Sequence, residues 1–540
     1  MLEKLNIERV KGFLRAQGTT IVNENGEEII LTGWGLGNWL LCEGYMWLAG
    51  TGDRFDRPRR IESVIRELTG STYAESFWEK FRENYISRDD IRSIAELGYN
   101  SIRIPFNWRV LMEDEPGIVW KEDGFKLIDH CLDWCEEFGI YAFLDLHGAP
   151  GGQTGANIDD SVDDLPRLFT DSDNWYKCIE LWKKIASRYK DRFIVGGYDL
   201  LNEPIRPGSP NMKNCDYLLP KLVHFYEEVT AAIRSIDKKH ILSIEGHHWA
   251  TDVSVFHKKY DDNMVIHFHR YACVPSIESY QTYLDVSKRI DAPLWLGETA
   301  ENVSEWYTAM FPLAVSLGIG YNLWPWKKMS CSNSPFSVNK VEDWDKIIDY
   351  THGGPHPGYK EAQGIFDQYL ENIKLKNCTY NSQVNKAVFR KPSCRVRGTD
   401  FDIIPGKGVS YSGFRKDRNI YNYQSESGMC IRSITEKPLE PRFAFDCGWE
   451  RFVLEMETAE FACYSIYNVK EGNSVTLELL CCKDAAITIL QNNLIISSME
   501  IGDCDSKIIL PVQLKPIDES VVKIYVNEGS IQLATVCFHE

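Results

Sequence analysis

The chain has 540 residues, more than one ordinary domain holds, so at least two domains are expected. Its hydrophobic fraction of 44% is ordinary for a globular protein, and its formal net charge of −18 argues against nucleic acid or an anionic membrane as a partner. The charged N-terminal segment does not contain the apolar run of a signal peptide, and no stretch approaches the roughly 20 apolar residues of a membrane span. We therefore expect a cytoplasmic protein.

Short apolar runs alternate with amphipathic stretches from about residue 29 to residue 376. Eight runs have the composition of buried strands: 29–32, 99–105, 140–146, 195–201, 241–244, 264–268, 294–296 and 320–323. Segments with helical spacing of apolar residues lie between them, among them 87–97, 124–138, 174–189 and 218–236. This order predicts an α/β fold with a closed (β/α)8 barrel. A doubly wound open sheet is the alternative, which is less favoured because no Gly-rich phosphate turn follows a strand.

The pattern changes after the last helical stretch. Residues 381–393 are polar and are interpreted as a linker. From residue 394 to residue 540, short β-rich runs are separated by turn residues at roughly ten-residue intervals, which is typical of an antiparallel β-sandwich. The predicted domains are therefore 1–380, a barrel, and 394–540, a sandwich.

Two glutamates follow strand-like runs of the predicted barrel. Glu203 lies in Asn202-Glu203-Pro204, after the fourth run, and Glu298 ends the seventh. Active sites of β/α barrels form where strands pass into the loops that follow them. A pair of carboxylic acids at that end is what a retaining glycoside hydrolase requires.

Polar and aromatic residues also lie at most of the remaining strand ends of the predicted barrel. Each also has a structural explanation: Arg103 can pair with a core carboxylate, His147 can anchor a loop, and Tyr271 can simply pack. The remaining candidates are Glu43, Asp145, Glu245, His247, His248, Trp249, His269 and Trp324.

The histidines raise the question of a metal. His267 and His269 form an H-x-H pair, and His247 is adjacent to His248. However, alternate residues of any strand share one face, so H-x-H arises freely. The 16 cysteines contain no C-x-x-C pair, which indicates free thiols rather than a zinc site. We expect neither a metal nor another cofactor.

Six motifs in chain order resemble the signature set of family 5 of the glycoside hydrolases. They are Arg103-Ile-Pro, Leu146-His-Gly-Ala-Pro150, Asn202-Glu-Pro, His269-Arg-Tyr271, Gly297-Glu298 and Tyr321-Asn-Leu-Trp324. The segment 35–43, ending in Glu43, resembles the branch of exo-acting 1,3-β-glucanases and β-glucosidases, as does 150–155. The acidic stretch 156–160 departs from that branch.

The resemblance implies a role for each matching residue. Glu298 would be the nucleophile and Glu203 the general acid/base. Arg103 and Tyr271 would hold Glu298, and Asn202 would bind the sugar 2-hydroxyl. His147, His269 and Trp324 would line the sugar site. Glu43, with Asp145 or Asp159, would grip the terminal sugar.

The expected substrate is a β-linked oligosaccharide or small glucoside, cleaved by an exo-acting retaining enzyme. An endo-acting β-glucanase or mannanase is the alternative, and a glycan-binding protein without catalysis is a second one. In the C-terminal domain, 449–452 and 460–472 faintly resemble carbohydrate-binding modules of the sandwich type. A purely structural sandwich fits the same segments.

Overall fold

The structure is a computed structural model that describes residues 10–50, 52–208, 214–415, 419, 423–434, 451–505 and 508–540. The chain folds into two compact units. Unit 1 comprises residues 1–270, 282–299 and 319–380, and unit 2 comprises 271–281, 300–318 and 381–540. Within the described part of the chain, no helix has the length and apolar character that would let it cross a membrane.

Unit 1 opens with a two-stranded hairpin and contains a closed barrel of eight parallel strands, as predicted. The hairpin strands are β1 (Arg15–Gln17) and β2 (Thr20–Val22). In order around the barrel, the strands are β3 (Thr32–Gly35), β4 (Ser101–Asn107), β5 (Tyr141–Gly148), β6 (Val195–Asp199), β7 (Ile241–Glu245), β8 (Met264–Arg270), β9 (Leu294–Ala300) and β10 (Gly320–Trp324).

The helices alternate with these strands, and some are extra turns in the loops. They are α1 (Pro58–Thr69), α2 (Ser71–Tyr85), α3 (Arg88–Glu96), α4 (Trp108–Leu111), α5 (Glu122–Phe138), α6 (Ser172–Tyr189), α7 (Leu219–Arg234), α8 (His247–Ala250), α9 (Glu278–Ile290), α10 (Ser304–Ser316), α11 (Trp344–Thr351), α12 (Tyr359–Asn372) and α13 (Ser382–Val388). Short 3-10 turns occur at Gly44–Trp47, Arg167–Phe169, Asp216–Leu218, Leu375–Asn377 and Ser425–Ser427.

The first barrel strand lies three residues later than predicted. The run 29–32 is apolar, but the paired residues are Thr32–Gly35. Glycines are needed here because a Cβ on Gly33 would lie 2.0 Å from the Ser101 carbonyl oxygen, and one on Gly35 would lie 2.4 Å from Trp324 Cε3. The position of this strand therefore depends on how closely its backbone approaches Ser101 and Trp324, and an apolar sequence pattern does not reveal such contacts.

The amino ends of the barrel strands are closed by a hydrophobic core. Leu14 and Ile21 of the hairpin region pack with Phe143 and Trp295, whose rings have centroids 4.4 Å apart. The cluster also contains Leu31, Tyr141, Ile241 and Val265. Apolar side chains fill the barrel interior at the amino ends of the strands. Charged groups that point into the barrel therefore lie toward the carboxyl ends.

Three short strands complete unit 1, and unit 2 contains the antiparallel domain predicted for the C-terminus. The short strands are β11 (Lys327–Met329), β12 (Phe336–Val338) and β13 (Thr379–Tyr380). The nine-stranded antiparallel sheet consists of β14 (Arg395–Arg397), β15 (Tyr411–Ser412), β16 (Cys430–Ser433), β17 (Phe452–Glu457), β18 (Phe461–Val469), β19 (Ser474–Gln491), β20 (Leu494–Ile501), β21 (Ile508–Gln513) and β22 (Ile517–His539).

Strand β22 is the centre of this sheet. It pairs with β18, β17 and β14 in turn along its length, and with β19 over most of its residues. Residues 381–393, interpreted as a linker from the sequence, contain helix α13. Of the stretches that resemble a carbohydrate-binding module, Trp449 and Glu450 lie outside the described residues, and 460–472 covers most of β18.

Candidate active site

Arg103 is the hub of a charged network inside the barrel. It lies on β4 and is fully buried. Its Nη1 donates to Glu298 Oε2 at 2.6 Å, and its Nη2 donates to Asn202 Oδ1 at 2.7 Å. Its Nε donates to Asp199 Oδ2 at 2.8 Å, and Nη2 also reaches Glu245 Oε1 at 3.0 Å. One guanidinium thus contacts side chains of three other barrel strands, β6, β7 and β9, and of Asn202, which follows β6.

The charges around Arg103 are unbalanced. Burial disfavours its cation, but the carboxylates of Asp145, Asp199, Glu245 and Glu298 outweigh burial and hold the pKa of Arg103 well above its usual value. Burial raises the pKa of Asp145 and of Glu245. Burial also acts to raise the pKa of Asp199, but the neighbouring His267 and Arg103 outweigh burial, so the pKa of that carboxyl is lowered. The network therefore contains both ionised and protonation-prone carboxyl groups.

Glu203 is paired with a histidine rather than with Arg103. Its Oε1 is 2.7 Å from His269 Nδ1, and its backbone N–H donates to Glu245 Oε2 at 2.6 Å. His269 Nε2 lies 3.0 Å from His267 Nε2. Burial opposes the imidazolium of His269, but Glu245, Glu298 and Glu203 raise its pKa well above the usual value. These carboxylates therefore favour the imidazolium form of His269 beside Glu203.

The two predicted catalytic carboxylates are close together and are the accessible members of the network. A carboxylate oxygen of Glu203 and one of Glu298 lie within 4.8 Å of each other and of a His269 nitrogen. Glu203 and Glu298 each expose 7% of their surface, whereas Arg103 exposes none. Retaining glycosidases separate their carboxyl groups by about 5–5.5 Å and inverting ones by about 6.5–9.5 Å, so this pair fits the retaining geometry.

Asp145, His147 and Asn202 form a chain next to the pair. Asp145 Oδ2 accepts from His147 Nδ1 at 2.8 Å, and His147 Nε2 lies 3.2 Å from Asn202 Nδ2. Burial, assisted by Arg103, lowers the pKa of His147 to about 3, so its Nε2 is free to accept from the amide. The second N–H of Asn202 is then left for a ligand. Asp145 is fully buried and acts through His147 and Arg103.

Trp324 forms the aromatic wall of the site. Its ring stacks on His147 with centroids 5.2 Å apart and planes 4° apart, and its Nε1 donates to the Tyr45 hydroxyl at 3.0 Å. Gly35 and Gly37 lie against the same indole, where a Cβ would come within 2.4 and 2.8 Å of ring atoms. The packing fixes the ring orientation that a stacked sugar would require.

The loop after β5 holds Asn202 and Glu203 in place. Gln153 Nε2 donates to the carbonyl oxygens of His147 and Asn202, at 2.8 and 2.9 Å. The Thr154 hydroxyl donates to the Glu203 carbonyl at 2.8 Å. Asp159 accepts backbone N–H groups of this loop, including that of Thr154, and so organises the loop. These contacts support Glu203 at an unusual backbone φ of 42°.

Most residues predicted for the site meet in unit 1. Glu43 belongs to the same unit, buried just before the turn Gly44–Trp47, and its contact with sugar stays a prediction. Tyr271 belongs to unit 2, and its role also stays a prediction. The sequence pattern does not single out Asp199; it marks Glu245 as a strand-end candidate without a role, and His267 only as a candidate metal ligand. A signal for Asp199 and Glu245 was present in the sequence, since each is a charged residue at the end of a mostly apolar strand.

The comparison with protein families agrees with this geometry. Residues 64–330 match the model of the cellulase family, glycosyl hydrolase family 5. The match covers 267 of the 540 residues, just under half of this chain. The segment matched by this family 5 model begins in α1 and ends after β11, so it contains seven of the eight barrel strands with both glutamates.

Several curated relatives are similar to part of this chain. A β-xylosidase of Phanerodontia chrysosporium is 35% identical over 244 residues, which cover 45% of this chain and 48% of that protein. Endoglucanase C of Acetivibrio thermocellus is 30% identical over 197 residues, with coverages of 36% and 53%. A probable glucan 1,3-β-glucosidase A of Aspergillus clavatus is 30% identical over 237 residues, with coverages of 43% and 52%. The chain thus spans about half the length of these relatives.

The substitution Glu245→Gln tests the histidine side of the site. Removing this carboxylate removes the foremost cause of the raised His269 pKa, so His269 loses its proton at lower pH. We expect the alkaline limb of the kcat/KM profile to move to lower pH, with a loss of up to about 100-fold at the optimum from displacement of Glu203. A kcat/KM profile that falls without moving along the pH axis would contradict a role through His269.

Proposed function

We propose that the barrel is a family 5 retaining β-glycosidase that removes single sugars from β-glucosides or gluco-oligosaccharides. The observation that carries the proposal is the close pair Glu203 and Glu298, one held by a guanidinium and the other by an imidazole. Glu298, beside Arg103, is suited to attack the anomeric carbon as a carboxylate. Glu203 is suited to donate a proton to the leaving oxygen.

The reaction follows from these positions in two steps. In the first, Glu298 forms a bond to the anomeric carbon while the glycosidic bond breaks and Glu203 gives its proton to the departing oxygen. In the second, Glu203 takes a proton from water, which attacks the anomeric carbon and releases Glu298. Asn202, whose Oδ1 is fixed by Arg103, can direct its Nδ2 to the sugar 2-hydroxyl. Trp324 offers a face for the ring.

The exo-acting mode and the preference for glucose rest on the motif ending in Glu43 and on the relatives' names. A screen of aryl β-glycosides with glucose, xylose, mannose, galactose and cellobiose as the glycone tests this. Release from the glucoside is expected. Release from the cellobioside alone would mean that a second sugar subsite must be filled, and would favour the endo-acting alternative.

Glu203→Gln tests the acid/base assignment. The variant cannot protonate the leaving group, so kcat/KM on a disaccharide or alkyl glucoside should fall by about 10²–10⁴-fold. An aryl glucoside whose leaving group needs no proton should lose much less in the glycosylation step. Steady-state kinetics on both substrates provide the comparison, with wild type as the control. Equal losses on both substrates, or full activity on both, would rule out this role.

For the antiparallel domain of unit 2 we propose carbohydrate binding. Two exposed aromatic side chains of this domain support it, Phe414 at 63% exposure and Tyr467 at 40%, because aromatic rings stack on sugars. Retention of the inactive Glu298→Gln chain on insoluble β-glucan, weakened by Phe414→Ala or Tyr467→Ala, is the expected result. No retention by the parent chain would leave the domain a structural role.

A further inference from the structure

A second group of metal-ligating side chains lies in the loops that follow β6 and β7. Asp216 opens the turn Asp216–Leu218 before α7, and His247 and His248 open the segment after β7. One ligand atom from each of these three residues lies within 4.8 Å of the others. Two imidazoles and one carboxylate form a set that Zn²⁺ and related transition-metal ions prefer. None of the three belongs to the Arg103 network.

His247 points to a ligand most directly. It exposes only 4% of its surface, and its Nδ1 has no hydrogen-bond partner among the residues that the structure describes. The nearest carboxylate oxygen paired with it, Asp252 Oδ1, is 3.4 Å from that nitrogen. Buried polar atoms in folded proteins are nearly always bonded, so an unpartnered imidazole nitrogen needs an explanation.

His248 and Asp216 are already close to a binding geometry. His248 Nε2 lies 2.6 Å from Asp216 Oδ1, and the two imidazole rings have centroids 4.0 Å apart. Asn214 Nδ2 donates to the other oxygen, Asp216 Oδ2, at 2.8 Å. Ligand bonds of about 2.0–2.2 Å around tetrahedral zinc place ligand atoms roughly 3.3 Å apart, so only small movements are required.

The backbone brings both imidazoles to one place through an unfavourable conformation. His248, Trp249 and Ala250 have φ values of 54°, 59° and 52°, in the left-handed region that favours glycine. Within this segment the His248 N–H donates to the Ile205 carbonyl at 3.0 Å. Three such residues in succession persist only where other interactions hold them, and metal bonds would be such interactions.

We propose that Asp216, His247 and His248 bind a transition-metal ion of the Zn²⁺ type, with a fourth position left to water. The ion is structural, since it lies on residues that take no part in the glycosidase step. Through the bond from His248 to Ile205, it steadies the segment that follows Asn202-Glu203-Pro204. Occupancy therefore stabilises the fold, and bond cleavage does not require it.

The test measures Zn²⁺ binding to the full chain after treatment with EDTA, by isothermal titration calorimetry and by the melting temperature with and without Zn²⁺. We expect binding that His248→Gln and Asp216→Asn each weaken about tenfold or more. Mg²⁺ should not compete, because it prefers oxygen ligands. His224→Gln is the matched control, since His224 is exposed and lies near two glutamates on α7. Circular dichroism in EDTA verifies that each variant is folded.

Three results would overturn the proposal: no Zn²⁺ binding by wild type, equal binding by wild type and His248→Gln, or equal losses in His224→Gln and His248→Gln. A further comparison uses Glu298→Gln, because Glu203, His269 and Glu298 also place ligand atoms within 4.8 Å of one another. Binding lost in Glu298→Gln and kept in His248→Gln would assign the ion to the catalytic pair and refute the loop site.

Discussion

Glu298→Gln is expected to reduce kcat by about 10⁴-fold or more on every substrate, because the covalent intermediate cannot form. Glutamine has the shape of the lost side chain and can still accept from Arg103 Nη1, so the fold should persist. The measurement is the steady-state rate on an aryl glucoside, together with mass spectrometry after incubation with an activated 2-deoxy-2-fluoro glucoside. Wild type should gain the mass of one fluorosugar, located on Glu298.

Glu96→Gln is the control for this experiment. Glu96 is an exposed residue at the end of α3, and its pair with Arg92 at 3.8 Å lies on the surface. The control should keep wild-type kcat and label normally. Labelling of Glu298→Gln at another carboxylate, or a kcat near that of wild type, would show that Glu298 is not the nucleophile.

Arg103→Met is expected to lower the free energy of unfolding by about 3–5 kcal/mol at neutral pH, because it leaves buried carboxylates without their cation. Arg103 bonds to Asp199, Glu245 and Glu298 and lies 3.2 Å from Asp145. Without it, burial should raise the pKa values of these carboxyl groups in the folded state above their unfolded values. The folded variant then binds more protons than the unfolded one, so its stability falls as pH rises.

Urea unfolding of wild type and Arg103→Met at pH 5 and pH 7.5 measures this effect. The difference between the two proteins should be larger at pH 7.5. Arg103→Lys is the matched variant: it keeps the charge but not the planar fork, so it should recover most of the stability while kcat stays low. If Arg103→Met unfolds within about 1 kcal/mol of wild type at both pH values, Arg103 does not hold the network together. If Arg103→Lys is as unstable as Arg103→Met, the positive charge at position 103 is not what stabilises the barrel.

The sequence was sufficient to predict the barrel and the glutamate pair because both depend on local patterns. Apolar runs alternate with helical stretches, and Asn202-Glu203-Pro204 directly follows a run. The network behind the pair depends on distant contacts instead. Asp199 is 96 positions from Arg103 and Glu245 is 142, and nothing near either residue shows that they share a guanidinium.

Two further features could not be read from local sequence. The exact start of β3 depends on the close approach of Gly33 to Ser101, which a hydrophobic pattern does not encode. The assignment of residues 271–281 and 300–318 to unit 2 depends on packing against residues distant in sequence, such as the bond from Thr308 to the Arg395 carbonyl. Periodicity predicts elements, whereas these features arise from tertiary packing.

The position of β22 has a consequence for how the protein is made. Because β14, β17, β18 and β19 all pair with this strand, none of them has its main partner until residues 517–539 have left the ribosome. All eight barrel strands have been synthesised by residue 324, so they can pair with one another early. During translation, the four strands of unit 2 that pair with β22 therefore expose unpaired edges, which can pair wrongly, until β22 has been made.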